Sequence, residues 1–288
     1  MVHLSINHAT QEAIRLVPMC EQHLDQAHDL SRALNWPYRR EDWAFALDLG
    51  HGLVAEHKGQ VLGTALWWPY GDDVASVGMV IVSPQARRQG IGARLMDALL
   101  ARLEGRRIVL NATPDGLPLY ERLGFLPCGA VHQHQAVLTA APRLDSDAVI
   151  RPLGPDDLAA LRALDRAGSG MDRDGLIAAL RAIGQIKVLE RDGEVQAYGC
   201  ARVWGRGVVI GPVVAETRED ARSIIAALAV DHEGRFLRID VTRRSDLSPW
   251  LEAIGLPQVD AVVAMAKGPP CGPSGRLAVF ALSNQSLG

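Results

Sequence analysis

"SPQARRQGIGARLMDALLARLEG", residues 83–105, decides how this chain is read. Gly90 and Gly92 stand one residue apart, behind Arg87 and Arg88 and ahead of an amphipathic run. Ile91, Leu95, Ala98, Leu99 and Leu103 recur at helical spacing, and Gly105 lies just past them, so a helix is predicted from about Gly90 to Leu103. A helix start leaves about four backbone N–H groups unpaired, and its dipole favours an anion. Three readings compete for the glycine pair: a dinucleotide site, another phosphate site, or a plain tight turn. The dinucleotide fingerprint G-x-G-x-x-G needs a third small residue, but Leu95 stands there, and no acidic residue ends a second strand about twenty residues on. A Walker-type loop needs Lys and then Ser or Thr after its last glycine, whereas Ala93 and Arg94 follow here. Both nucleotide readings fail.

What remains is a strand, then Val82, Pro84, Arg87, Gly90 and Gly92, then a helix. Further on, the strand "RIVLNA" (107–112) precedes "LPLYERLGF" (117–125), a short helix with a bend at Gly124. In this order the two motifs resemble the R-x-x-G-x-G pyrophosphate loop and the L-Y-x-x-x-G-F ending of the GNAT superfamily of acetyl-CoA-dependent N-acetyltransferases. The resemblance covers roughly residues 13–138. It implies that the backbone amides of Arg88, Gln89, Gly90, Ile91, Gly92 and Ala93 receive the diphosphate, with Arg87 and Arg88 adding charge. It implies a strand splayed from its neighbour, on which Val80, Ile81 and Val82 pair with the pantetheine arm and an amide near Val80 holds the oxyanion. Tyr120 matches the tyrosine that reprotonates the departing thiolate in many members. A phenol of pKa about 10 suits that task, although a packed aromatic on a short helix is the competing reading. Asn111 and Thr113 fall where relatives contact the pantetheine or adenine end of CoA; Thr113 stands where many carry Asn.

Many relatives place a glutamate base on the splayed strand, but "SVGMVIVS" (76–83) has no carboxylate, so the residues do not identify a base. Asp72 and Asp73 read as a polar turn. His132 and His134 share a strand face without a third ligand nearby, and no metal is expected. The acceptor pocket falls to "NWPYRRED" (35–42): Trp36 and Tyr38 as walls, and Arg39 or Arg40 as partner for a substrate carboxylate. A helix-start loop stabilised by Glu41 or Asp42 is an equal reading.

The chain of 288 residues repeats itself. Val54, Glu56, Gly59 and Val61 match Val188, Glu190, Gly193 and Val195, and Gly63, Ala65 and Trp68 match Gly199, Ala201 and Trp204 after a two-residue insertion. "AIRLV" at 13 matches "VIRPL" at 149. Both halves read as α+β, two tandem GNAT-like domains, each a mixed, mostly antiparallel sheet flanked by helices. The expected division is a catalytic unit at 1–138, a linker at 139–148 and a second unit at 149–288. "VVIGPVVAETREDARSI" (208–224) lacks the glycine turn, and Glu216, Glu219 and Asp220 crowd its helix start. The second unit resembles the degenerate half of tandem bacterial acetyltransferases and is expected to bind no CoA and to help close the acceptor site. The tail "GPPCGPSGRLAVFALSNQSLG" (268–288) is expected along the surface, with "RLAVFAL" as a short strand.

Hydrophobic content of 48% and charged content of 22% fit a globular protein, and a net charge of −3 argues against nucleic acid as partner. No apolar run reaches the ~18 residues of a membrane helix, and no signal peptide is read at the N-terminus. Cys20, Cys128, Cys200 and Cys271 lie far apart, which fits reduced thiols in a cytoplasm. The resulting expectation is acetyl transfer from acetyl-CoA to a primary amine of a small molecule by direct attack. The alternatives are a CoA-binding regulatory or scaffold module and a protein-lysine acetyltransferase.

Overall fold

The computed structural model describes residues 14–142, 148–269, 272–273 and 275–288. Cys271, half of the linker read at 139–148 and nearly all of the N-terminal stretch read for a signal peptide lie outside the described residues. The first half runs β1 (Arg15–Pro18), α1 (Leu24–Ala33), α2 (Arg40–Asp48), β2 (His51–His57), β3 (Gln60–Tyr70), β4 (Val74–Val82), α3 (Ile91–Leu100), β5 (Arg107–Ala112), α4 (Leu117–Arg122) and β6 (Leu126–Val137). The second repeats it as β7 (Val149–Pro152), α5 (Leu158–Ser169), α6 (Asp174–Ile183), β8 (Gln185–Arg191), β9 (Glu194–Trp204), β10 (Gly207–Ala215), α7 (Arg218–Val230), β11 (Phe236–Thr242), α8 (Ser248–Ala253) and β12 (Gln258–Lys267), then adds β13 (Ala278–Ala281). Local chemistry sets the joints. Lys58 and Gly59 both have positive φ (51° and 77°), the turn geometry that matches strand twist in the β2–β3 hairpin. Pro118 sits in the first turn of α4, and Gly124 at φ 84° ends the turn after it. Asp72 and Asp73 lie in the turn between β3 and β4.

All thirteen strands join one sheet, in the order β1-β2-β3-β4-β5-β12-β6-β11-β13-β10-β9-β8-β7. The halves trade strands at its centre. The free edge of β5 is taken by β12, from Ala112↔Val263 to Ile108↔Lys267. Strand β6 therefore bonds to β12 on one side and to β11 on the other, from Val137↔Phe236 to Val131↔Thr242. The last strand of the first half thus lies among strands of the second.

Packing follows the same symmetry. On one face, Ile91, Leu95 and Leu99 of α3 pack with Tyr120 and Phe125 against β2–β5. Further along that sheet, α7 and α8 cover the second half with Ile224, Leu228 and Leu251. A separate core is common to both halves: Leu24, Trp43 and Trp68 from the first pack in one cluster with Leu176, Ile177 and Tyr198 from the second.

The tail corrects one expectation. The described part of 268–277 is largely exposed, and β13 forms where a short strand was expected, but the chain then turns inward. Ser283 and Leu287 are fully buried, and Asn284 is nearly so. The reason is hydrogen bonding. Ser76 Oγ donates to the Ser286 carbonyl at 2.6 Å and Tyr70 Oη to the Leu287 carbonyl at 2.7 Å, while Asn284 Oδ1 accepts from the Ser286 and Leu287 amides at 2.8 Å. Ser76→Ala leaves a buried carbonyl without its donor and is expected to cost about 1 kcal/mol of stability, read as a lowered thermal midpoint. An unchanged midpoint would mean that this bond does not hold the tail.

Candidate active site

The site begins where two strands part. β4 and β5 pair in parallel from Val74↔Arg107 to Val77↔Leu110, and beyond that register they no longer bond to each other. On its other edge β4 stays bonded to β3 through a bulge: Gly78 faces Leu66 and Ile81 faces Thr64, so Met79 and Val80 together oppose Ala65. Met79 has φ 50°, uncommon for a side-chain-bearing residue, and buried Thr64 Oγ1 donates to its carbonyl at 2.8 Å. Val82 leads into Ser83 and Pro84, and then into the glycine turn.

The turn forms an open cradle of amides. Arg88 (φ 63°) and Gly90 (φ 74°) are both left-handed, and Gly90 caps α3. A Cβ at Gly90 would meet nothing within 4 Å, and one at Gly92 would only touch Leu119 and Val82. Among the described residues, no backbone carbonyl accepts from the amides of residues 88–93; the first intrahelical bond is Arg94 N–H to the Gly90 carbonyl at 3.0 Å. Unpaired amides at the positive end of a ten-residue helix, with no side chain in the way, fit a diphosphate.

One cavity of about 830 Å³ runs from this turn to the opposite face of the split. Near the turn it is lined by Arg87, Arg88, Gly90, Ile91, Gly92, Ala93 and Arg122, and along the split by Gly78, Met79, Val80, Ile81 and Val82. Asn111, Thr113 and Tyr120 line it too, as do Trp36 and Tyr38 at the far end. Asn111 Nδ2 donates to the Gln285 carbonyl at 2.8 Å, and Thr113 Oγ1 accepts from the Gly116 amide at 3.3 Å, so both polar side chains have partners within the chain. Tyr120 is 8% exposed, its ring set edge-on to Phe125 at 6.0 Å. Burial pushes its phenol up to about 12. Arg87 faces Asp115 at 3.6 Å.

Three residues read as CoA or acceptor partners, Gln89, Arg39 and Arg40, lie apart from the cavity, and Arg40 Nε donates to Asp25 at 2.6 Å. The Gln89 side chain is absent from the cavity lining. Arg39, read as a partner for a substrate carboxylate, is turned elsewhere. Its Nε donates to Asp42 at 3.1 Å and its Nη2 to the Val203 carbonyl at 3.2 Å. Asp42, 1% exposed, also accepts from the Arg39 amide at 2.9 Å and the Gly205 amide at 2.8 Å. The competing reading, a helix start stabilised by Asp42, describes this loop. His132 and His134 both reach Ser248 Oγ, at 3.0 and 2.9 Å, and His134 Nδ1 lies 2.9 Å from the Leu256 carbonyl. No group of three His, Cys, Asp or Glu arranged for a metal occurs among the described residues.

The second half was expected to help close the acceptor site, but the residues of the far wall were not foreseen. Arg238, Asp260, Gln133, Gln285 and Ser286 all line the cavity, from β11, β12, β6 and the tail. Arg238 Nη2 lies 2.9 Å from Asp240, which is fully buried. Burial opposes the Arg238 charge, but Asp240 and neighbouring acids outweigh it and raise the guanidinium pKa. Burial also raises the Tyr38 phenol. One signal was present in the sequence: in "FLRIDVT" two charged residues share a face of an otherwise apolar strand.

The second half carries the same split and fills it. β10 and β11 pair in parallel at Val208↔Leu237 and Val209↔Arg238, and then β13 enters between them, bonded to β10 near Val213–Ala215 and to β11 at Val241↔Ala281. Its helix start is closed as well: Thr217 Oγ1 caps the Asp220 amide at 3.0 Å, and Arg191 pairs with Asp220 at 2.9 Å.

A splayed mixed sheet with an amide cradle at the head of the following helix defines the GNAT class of acyltransferases, and here the frame occurs twice. The chain belongs to the GNAT acetyltransferase family as a tandem member: residues 17–125 match the acetyltransferase (GNAT) family and residues 161–281 an acetyltransferase (GNAT) domain. It is 28% identical over 231 residues to the uncharacterized N-acetyltransferase YitH of Bacillus subtilis (strain 168), covering 78% of this chain and 81% of that protein. In fold it is similar to a provisionally assigned acetyltransferase from Pyrococcus horikoshii (TM-score 0.81, 19% identity, 99% of each chain). A tandem GNAT protein from the clavulanic acid biosynthesis pathway shares it too (TM-score 0.66, 16% identity, 89% of this chain and 99% of that one). No helix among the described residues is long and apolar enough to cross a membrane.

Proposed function

We propose that this enzyme moves acetyl from acetyl-CoA to a primary amine of a small molecule by direct attack, in the first half alone. The observation that carries the reading is the contrast between the two splits: the second is filled by β13, an extended chain, and the first is lined by cavity and opens onto the amide cradle. An extended pantetheine arm along Val80, Ile81 and Val82 takes in the first half the place that β13 takes in the second. The amides of residues 88–93 and the side chains of Arg87 and Arg88 receive the diphosphate.

The bulge leaves the amide near Val80 to hold the oxyanion as the amine nitrogen bonds to the thioester carbon. The carbon–sulfur bond then breaks, Tyr120 gives its proton to the thiolate, the nitrogen sheds a proton to water as the amide forms, and water returns a proton to the Tyr120 phenolate. With no carboxylate on β4, the splayed strand does not supply the base, and the amine must lose its proton to water or to a group off that strand before it attacks. A small acceptor is favoured over a protein lysine because the tail and the strands of the second half wall the far end. The unpaired Cys20, Cys128 and Cys200 suit a reducing cytoplasm.

Thiol release from acetyl-CoA across a panel of small amines, lysine-bearing peptides and no acceptor tests the reading. Amine-dependent release is expected. Acetyl-CoA binding without acylation of any acceptor would leave a CoA-binding module, and a preference for peptides a protein-lysine acetyltransferase.

A further inference from the structure

The two ends of the cavity differ in electrostatic sign. Near the glycine turn Arg87, Arg88 and Arg122 face a single acid, Asp115. At the far end the charged lining residues are Arg238 and Asp260. Arg238 is already neutralised: its Nε lies 3.0 Å and its Nη2 2.9 Å from buried Asp240. Arg39 points away, into Asp42. Asp260 on β12 is exposed; its charge helps hold that of Arg238, but it makes no ion pair among the described residues, and its Oδ1 accepts only the Ala261 amide, at 2.8 Å. The remaining lining is neutral, with oxygen acceptors on Gln133, Gln285 and Ser286 and the aromatic side chains of Trp36 and Tyr38. Their rings stand edge to face at 6.1 Å. A carboxylate beside aromatic side chains attracts a cation, and among the described residues of this end no free guanidinium remains to receive a carboxylate.

We infer that the acceptor is an amine carrying a second, non-reacting ammonium and no carboxylate, with that ammonium held by Asp260 beside Trp36 and Tyr38. The inference rests on the transfer reading above and names the substrate class for it. One nitrogen reacts neutral while the other stays charged and docks.

Calorimetry on the CoA-saturated protein tests it without turnover. The probes are cadaverine, lysinamide and lysine, which share a chain and differ in the carboxylate. Cadaverine and lysinamide are expected to bind about fivefold to tenfold tighter than lysine, the scale of one partly desolvated charge contact. Asp260→Asn keeps an oxygen for the Ala261 amide and is expected to abolish the preference, and Asp260→Glu to restore it. Lysine binding as tightly as cadaverine, no binding of any probe, or a preference that survives Asp260→Asn overturns the inference. Turnover is scored separately: a diamine bound in the expected pattern and never acetylated removes the transfer reading and leaves the cation site standing.

Discussion

A glutamate in place of Gly92 is expected to weaken CoA binding roughly a hundredfold or more while the protein stays folded. Gly92 lies in the first turn of α3, inside the amide cradle and on the cavity wall. A Cβ there would stand 3.4 Å from Leu119 Cδ2 and 3.6 Å from Val82 Cγ2, ordinary contact distances, so backbone and helix have no reason to shift. The carboxylate is what matters. It replaces an open approach to the amides with bulk and a negative charge beside a diphosphate. Two like charges about 4 Å apart near a protein surface repel by roughly 4 kcal/mol, and each ~1.4 kcal/mol is a factor of ten in affinity. Gly92→Ala separates the two effects, since it adds the methyl without the charge and is expected to bind CoA within about threefold of wild type. Calorimetry with CoA on both variants, paired with their thermal midpoints, reads the result. Undiminished binding in folded Gly92→Glu would take the glycine turn out of the site.

The features that make this expectation specific were legible because they are local. The glycine pair, the arginines before it and the Leu-Tyr motif after it lie within about one turn of the elements they cap. Turn chemistry and helix periodicity are short-range rules. The repeat was legible for a similar reason: Val54, Gly59 and Val61 recur with their spacing intact as Val188, Gly193 and Val195. Strand exchange was not legible. β6 and β12 are each long strands that end a half, and nothing in their alternation says whether Ala112 faces Val263 or a residue of β6. Pairing across more than a hundred residues is set by which edge is free once both halves have folded. The tail misled for a related reason. A stretch rich in Gly and Pro reads as surface, but Ser286 and Leu287 are buried, and Ser76, Tyr70 and Asn111 of the first half donate to the carbonyls of Ser286, Leu287 and Gln285. Polar residues go inside when partners wait there, and no local pattern reveals partners two hundred residues away. The far wall of the cavity is built from these two non-local features, so Asp260 and Arg238 escaped a reading that started from the glycine turn.

Tyr120→Phe is expected to lower kcat about a hundredfold while leaving CoA affinity within about twofold. The ring is held by burial and by its edge contact with Phe125, and phenylalanine keeps both, so the loss isolates the hydroxyl. Burial raises the phenol to about 12, so the folded protein keeps the proton where an exposed tyrosine begins to lose it near 10. The sign for activity follows. The acid is competent when protonated, so its loss can depress the rate only as pH climbs towards about 12. Below that, kcat at saturating acceptor should rise with pH as the reacting ammonium gives up its proton, with no falling limb from Tyr120 before pH 11. The variant should show the same rising limb at a lower height. A second donor separates acid catalysis from a packing fault. An aryl thioester releases a far less basic thiolate, which needs little protonation to leave, so the deficit of Tyr120→Phe should shrink several-fold with that donor. A packing fault would slow both donors alike. Full activity of the variant with acetyl-CoA would make Tyr120 an aromatic filler of the α3–α4 core and send the search for the proton donor to water at the turn.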